Sequence, residues 1–215
     1  MARHNLISLL FILLSQSVLA QEMENDSRLV YDAQLSAYDY GFEVSYFPID
    51  SQRQALKMAY IYLEGKPGKP VVTLMHGKNF NAHYWTPTAL YLQEKGYGVL
   101  IPDQIGFGKS SKPANYQYSF SVLAHHTEGL LASLDIKKSI VIGHSMGGML
   151  ASRFALMYPR LTQQLILVNP IGLENYLQYV EYKDTDFFSK KELAKTPEGI
   201  NGYQQKNYNE DNWIR

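Results

Sequence analysis

The stretch Val141-Ile-Gly-His-Ser-Met-Gly-Gly-Met-Leu150 decides how this chain is read. An apolar run stops, one hydroxyl residue sits between glycines, and a helix-like pattern follows. At average glycine and serine frequencies, such a spacing arises by chance in roughly one chain of this length in fifteen. The flanking strand and helix patterns therefore carry the reading as much as the glycines do. A strand, a sharp turn and a helix in that order force Ser145 into a strained backbone conformation. Side chains at Gly143 or Gly147 would collide with the neighbouring strand and helix. The serine hydroxyl then projects at the top of the sheet. The amide of Met146 lies at the helix N-terminus, where developing negative charge is favoured.

The pattern extends outward from this turn. Val44-Ser-Tyr-Phe-Pro-Ile49 and Ala55 to Leu63 alternate in character, as half-buried or edge strands do. Val71-Val-Thr-Leu-Met75, Val99-Leu-Ile-Pro102, Ile140-Val-Ile142 and Leu165-Ile-Leu-Val168 are continuously apolar. Such strands belong in a parallel sheet covered by helices. Between them, Thr86 is expected to cap a helix with Pro87 at its first position, and Gly96 to stop it. Leu123, Leu130, Leu131 and Leu134 share one helical face. The alternation argues the α/β class, with an open, mainly parallel twisted sheet and helices on both faces. His76-Gly77, Asp103 and Ser145 end three of the strands, so they converge on the rim where such sheets bind ligands.

Twenty basic and twenty acidic residues cancel, which gives no electrostatic case for nucleic acid. The 215 residues include no cysteine, so disulfides and thiolate nucleophiles are excluded. Residues 1–20 read as a signal peptide, with a basic start, an apolar run from Leu6 to Leu14 and cleavage after Ala20. That run is shorter than the roughly 20 residues that span a bilayer. The expectation is an exported protein, periplasmic or secreted, with no stable membrane insertion once the signal is removed. Residues 21–40 are expected to form a loosely held extension, followed by the core at 41–173. No metal-ligand cluster, phosphate-cradling loop or G-x-G-x-x-G motif is present, and no cofactor is implied.

Three motifs in order, Leu74-Met-His-Gly77, Pro102-Asp-Gln-Ile-Gly-Phe-Gly-Lys-Ser110 and the turn around Ser145, resemble those of the α/β-hydrolase superfamily. The likeness runs from Tyr46 to about Leu173 and is nearest to the capped branch of epoxide hydrolases, haloalkane dehalogenases and proline iminopeptidases. It implies a three-layer fold with a helical cap after the sixth strand. Dehalogenases and epoxide hydrolases of this fold attack with Asp. Ser145 in that place implies an acyl-enzyme and a small or medium acyl substrate, esters foremost. The alternatives are an aminopeptidase of the proline iminopeptidase type and an inactive binding module of the same fold. By the same resemblance, a backbone N–H of Lys78 or Asn79 is the second oxyanion donor beside Met146. His76 and Asp103 brace their loops, and His144 turns its side chain away from the line of attack.

In this superfamily the nucleophile is followed by an acid and then a histidine. All six histidines, His4, His76, His83, His125, His126 and His144, precede Ser145 or lie next to it. Asn169 stands where some relatives carry the acid, and Glu174 is the nearest carboxylate. Residues 174–215 read as the opening of the cap. The expectation is an incomplete hydrolase, lacking the last two strands and the acid and histidine they carry.

Overall fold

A computed structural model describes residues 31–194 together with Thr196 and Gly199. The proposed signal peptide with His4, residues 21–30, and most of 195–215 lie outside the described residues. The chain divides into two compact units, Met1–Ile171 and Gly172–Arg215.

The first unit is built on six strands: β1 (Ser45–Ser51), β2 (Gln54–Leu63), β3 (Val71–Met75), β4 (Gly98–Pro102), β5 (Ser139–His144) and β6 (Thr162–Val168). Their order across the sheet is β1-β2-β4-β3-β5-β6. The pairs β4–β3, β3–β5 and β5–β6 are parallel, while β1–β2 and β2–β4 are antiparallel. A mainly parallel sheet thus carries an antiparallel hairpin at one edge.

Alternate side chains leave a strand on opposite faces. On one face Val72, Leu74, Val99 and Ile101 pack with Ala89 of helix α1 (Thr86–Glu94) and with Trp85. On the other, Met75, Leu100 and Val141 pack with Leu130 of α2 (Phe120–Ser133) and Phe154 of α3 (Met146–Met157). The result is three layers. Successive strand residues feed both cores, so β3 and β4 are apolar apart from Thr73, whose hydroxyl pairs with that of Ser139 at 2.7 Å. Burial of each such side chain is worth roughly 1.5–3 kcal/mol.

Several local expectations are corrected. The segment entering α1 is capped one turn earlier than Thr86, because the Asn81 side chain accepts the His83 N–H at 3.0 Å and opens a 3₁₀ turn, Ala82–Trp85. Thr86 instead is the first residue of α1 and donates its hydroxyl to the His83 carbonyl at 2.8 Å. Among the described strands β6 lies at the edge of the sheet, with Leu165, Ile166 and Val168 each 37% exposed. No described strand pairs with its outer side.

The described part of the 21–40 segment is tied to the core at Leu35 and Tyr40. Tyr40 is 1% exposed. Its hydroxyl donates to Asp103 at 2.8 Å, and Lys109 Nζ reaches the Leu35 carbonyl at 2.7 Å. Asp103 is a buried carboxylate that needs donors, and the segment supplies one.

The second unit contains a 3₁₀ turn, Tyr176–Gln178, and helix α4, Thr185–Leu193. Asp184 caps α4 by accepting the Phe187 N–H at 2.8 Å, and Phe187 meets Phe188 edge to face.

Candidate active site

Ser145 occupies the junction of β5 and α3 with φ +55° and ψ −119°. This is a left-handed conformation that costs a non-glycine residue of order 1–3 kcal/mol, and the surroundings must enforce it. They do so by close approach. A methyl group on Gly147 would collide with the carbonyl oxygen of Met75 and stand 2.6 Å from that of His76. One on Gly143 would collide with the Gly147 carbonyl and stand 2.8 Å from Ala151 Cβ. Strand β3, strand β5 and helix α3 therefore meet at van der Waals distance. The Ser145 N–H is fixed on the Val168 carbonyl at 3.1 Å, and its own carbonyl accepts from Gly148 at 2.9 Å.

The Ser145 side chain does not cap the helix it precedes. Its hydroxyl is partly exposed at the positive end of α3, where the Met146 N–H begins the helix. The strand-end loop after β3 passes alongside: a methyl group on Gly77 would lie 3.2 Å from Ser145 Cβ. That loop turns tightly, with the Phe80 N–H on the Gly77 carbonyl at 3.1 Å, and carries Lys78 and Asn79 exposed at its tip.

His76 is fully buried, and burial lowers its pKa. The Gln104 N–H donates to its Nε2 at 3.1 Å, which leaves the ring proton on Nδ1, 2.9 Å from the Gly77 carbonyl. Both ring nitrogens are thus used in joining the loops after β3 and β4. The Asp103 carboxylate is equally committed, accepting from Tyr40, from the Ala82 N–H at 2.6 Å and from the Lys109 N–H at 2.7 Å. Burial, reinforced by the Asp103 charge, pushes the Tyr40 hydroxyl pKa well up.

His144 is buried among rings, stacked on Tyr84 at 4.9 Å and edge-on to Phe80 at 5.5 Å. Burial lowers its pKa, so it is a neutral side chain. His83 has its Nδ1 3.3 Å from the Tyr40 carbonyl. His125 and His126 lie on α2, the former beside Tyr158 and the latter beside Tyr116. Each described histidine is engaged by contacts other than one with Ser145. Asn169 follows β6 with φ +42°. Among the described residues, no cluster of His, Asp and Glu could hold a metal ion. None of their helices is long and apolar enough to cross a membrane.

At least two clefts indent the described part of the first unit. One, about 420 Å³, lies between β1 and α2 and includes no residue of the turn around Ser145. Another, about 460 Å³, has Met146 in its wall together with Phe107 and Phe120. The aromatic surroundings of His144 and this second cleft are not foreseen from sequence. Residues 80–85 do carry a visible aromatic run, Phe80, Tyr84 and Trp85, which is the one available signal.

Residues 70–201 match the family described as the alpha/beta hydrolase fold. The chain belongs to that family. Among solved structures, a probable hydrolytic enzyme from Pseudomonas aeruginosa is 47% identical, with a TM-score of 0.81. That match covers 86% of this chain and 60% of the other. Among curated relatives, 2-hydroxymuconate semialdehyde hydrolase of a Pseudomonas strain is 32% identical over 46% of this chain and 36% of its own. Lipase 1 of Psychrobacter immobilis is 34% identical over 54% of this chain and 36% of its own. The match thus spans little more than a third of the length of these two curated relatives. These two relatives and the solved structure are called a hydrolase, a lipase and a probable hydrolytic enzyme.

Proposed function

We propose that the protein is a serine hydrolase that cleaves a small or medium carboxylic ester through an acyl-enzyme. The observation that carries this is the backbone of Ser145, held at φ +55° with its hydroxyl at the start of α3 and not spent on capping that helix. Strain of this kind persists where the surroundings over-determine it, and it supports a functional role for the residue concerned.

In the proposed reaction, Ser145 Oγ attacks the ester carbonyl carbon while its proton passes to a base. The carbonyl oxygen becomes an oxyanion that accepts hydrogen bonds from the N–H of Met146 and from that of Lys78 or Asn79. Each such donor is worth about 3–4 kcal/mol in the transition state. Collapse breaks the carbon–oxygen bond, and the alcohol leaves with the proton. Water then attacks the acyl-serine, gives its proton to the base and releases the acid, which restores the Ser145 hydroxyl. No described histidine is proposed as the base. His76 and Asp103 hold the loops that shape the oxyanion site. Gly143, Gly147 and Gly77 provide the close approach, and His144 secures the turn from within its aromatic surroundings. The partner of the reaction is a small-molecule acyl substrate, and export is proposed from the character of residues 1–20.

The test is pre-steady-state hydrolysis of p-nitrophenyl acetate by the full-length protein. A burst of p-nitrophenol stoichiometric with enzyme, followed by a slower steady rate, is expected of an acyl-enzyme. A carboxylate nucleophile or a direct water attack would leave no acyl group on Ser145 in the quenched burst sample.

A further inference from the structure

Met146 is placed to act twice. Its N–H opens α3 next to Ser145, and Met146 also lines the 460 Å³ cleft. The rest of that wall comes from Gly106 and Phe107 after β4, from Tyr118 and Ser119 before α2, and from Phe120 and Leu123 in its first turns. No lining residue is charged. The Ser119 hydroxyl at its edge is occupied, since it accepts the Val122 N–H at 3.2 Å as the cap of α2.

The Tyr118 ring, 45% exposed, packs on two neighbours. It meets the Tyr116 ring edge-on at 4.9 Å. It also rests on Gly106, where a methyl group would come within 3.0 Å of the ring. Burial raises the pKa of its hydroxyl, which keeps the phenol neutral. The cleft is therefore apolar, uncharged and begins one residue from the nucleophile.

We propose that this cleft holds the acyl arm of the substrate, and that the substrate class is esters of uncharged medium-chain alkyl or aryl carboxylic acids. The proposal rests on the serine-hydrolase reading above. The acyl group stays on Ser145 through both halves of the reaction while the alcohol departs. A cleft that adjoins Ser145 in the chain is thus suited to the part that remains. The arm makes and breaks no bond; it contributes binding only. A carboxylate-terminated arm would lose water and find no cation on these walls, which is unfavourable. An alkyl arm gains up to about fourfold in kcat/KM for each methylene that leaves water.

The experiment measures kcat/KM of the full-length protein for p-nitrophenyl acetate, butyrate, hexanoate and hemisuccinate. Labelling of Ser145 by a small ethyl fluorophosphonate is followed in parallel. The expected result is a rise of about tenfold or more from acetate to hexanoate, with the hemisuccinate no better than acetate. Tyr118→Ala, which removes a wall, should cut the hexanoate-to-acetate ratio by about fivefold or more. A flat chain-length series in the wild type with Ser145 still labelled overturns the cleft assignment alone, whether or not the variant folds. So does a ratio that Tyr118→Ala leaves intact. Failure of Ser145 to label at all overturns the serine-hydrolase reading, and this proposal with it.

Discussion

Gly147 lies so close to strand β3 that a methyl group on it would collide with the carbonyl oxygen of Met75. The helix that follows Ser145 is seated directly on the backbone of the strand that delivers the His76-Gly77 loop. One close contact therefore positions both the hydroxyl and the loop beside it.

Gly147→Ala should separate β3 from α3 or prevent the turn from forming. Overpacking of this kind costs typically 1–3 kcal/mol or more, because the obstructing atoms are backbone and have no rotamer to move to. Urea denaturation should show the loss, and esterase activity should fall further than stability does. Wild-type stability in this variant would mean that the contact is looser than described.

The Tyr40 hydroxyl and Asp103 form a buried hydrogen bond between residues 63 positions apart. Tyr40→Phe should cost about 1.5–3 kcal/mol, the range for a hydrogen bond to a charged group. Asp103→Ala should cost more, because it leaves the hydroxyl of Tyr40 and the amides of Ala82 and Lys109 without an acceptor. Equilibrium unfolding of the two variants and of the double variant would measure the coupling.

These contacts mark where the sequence was legible. The turn around Ser145 could be read because its glycines, the apolar run before it and the helical pattern after it are contiguous. β3, β4 and β5 could be read because strands that face two cores are predominantly apolar. Tyr40 could not be read. It sits in a polar, mixed segment, and its partner is distant in sequence. The β1–β2 hairpin was also hidden, because its two turn residues, Gln52 (φ +50°) and Arg53 (φ +62°), are left-handed without being Gly or Asn. The Gln52 side chain fixes this turn by donating to the Gln117 carbonyl and accepting from the Gln117 N–H, both at 2.9 Å. A remote contact here overrides local turn chemistry. The wall provided by Tyr118 was invisible for the same reason, since its position depends on Gly106 and Tyr116.

His126 is 5% exposed on α2. Burial, with a smaller effect from neighbouring His125, lowers its pKa to about 4, against 6.5 for the free side chain. The unfolded chain therefore takes up a proton near pH 6.5 that the folded chain refuses until about pH 4. Stability is whole above pH 6.5 and declines as the pH falls towards 4, by up to roughly 3 kcal/mol from this group. Urea midpoints at pH 7.5 and pH 4.5 should differ accordingly. His126→Gln, which cannot be protonated, should reduce the difference, and an unchanged pH dependence in that variant would contradict the assignment.

The central claim is that Ser145 is the nucleophile, and covalent mapping tests it most directly. The full-length protein is treated with a fluorophosphonate, digested, and the modified residue located by tandem mass spectrometry. The adduct is expected on Ser145 alone, with labelling and ester hydrolysis both lost in Ser145→Ala. An adduct on another residue, or hydrolysis that survives Ser145→Ala, would contradict the account.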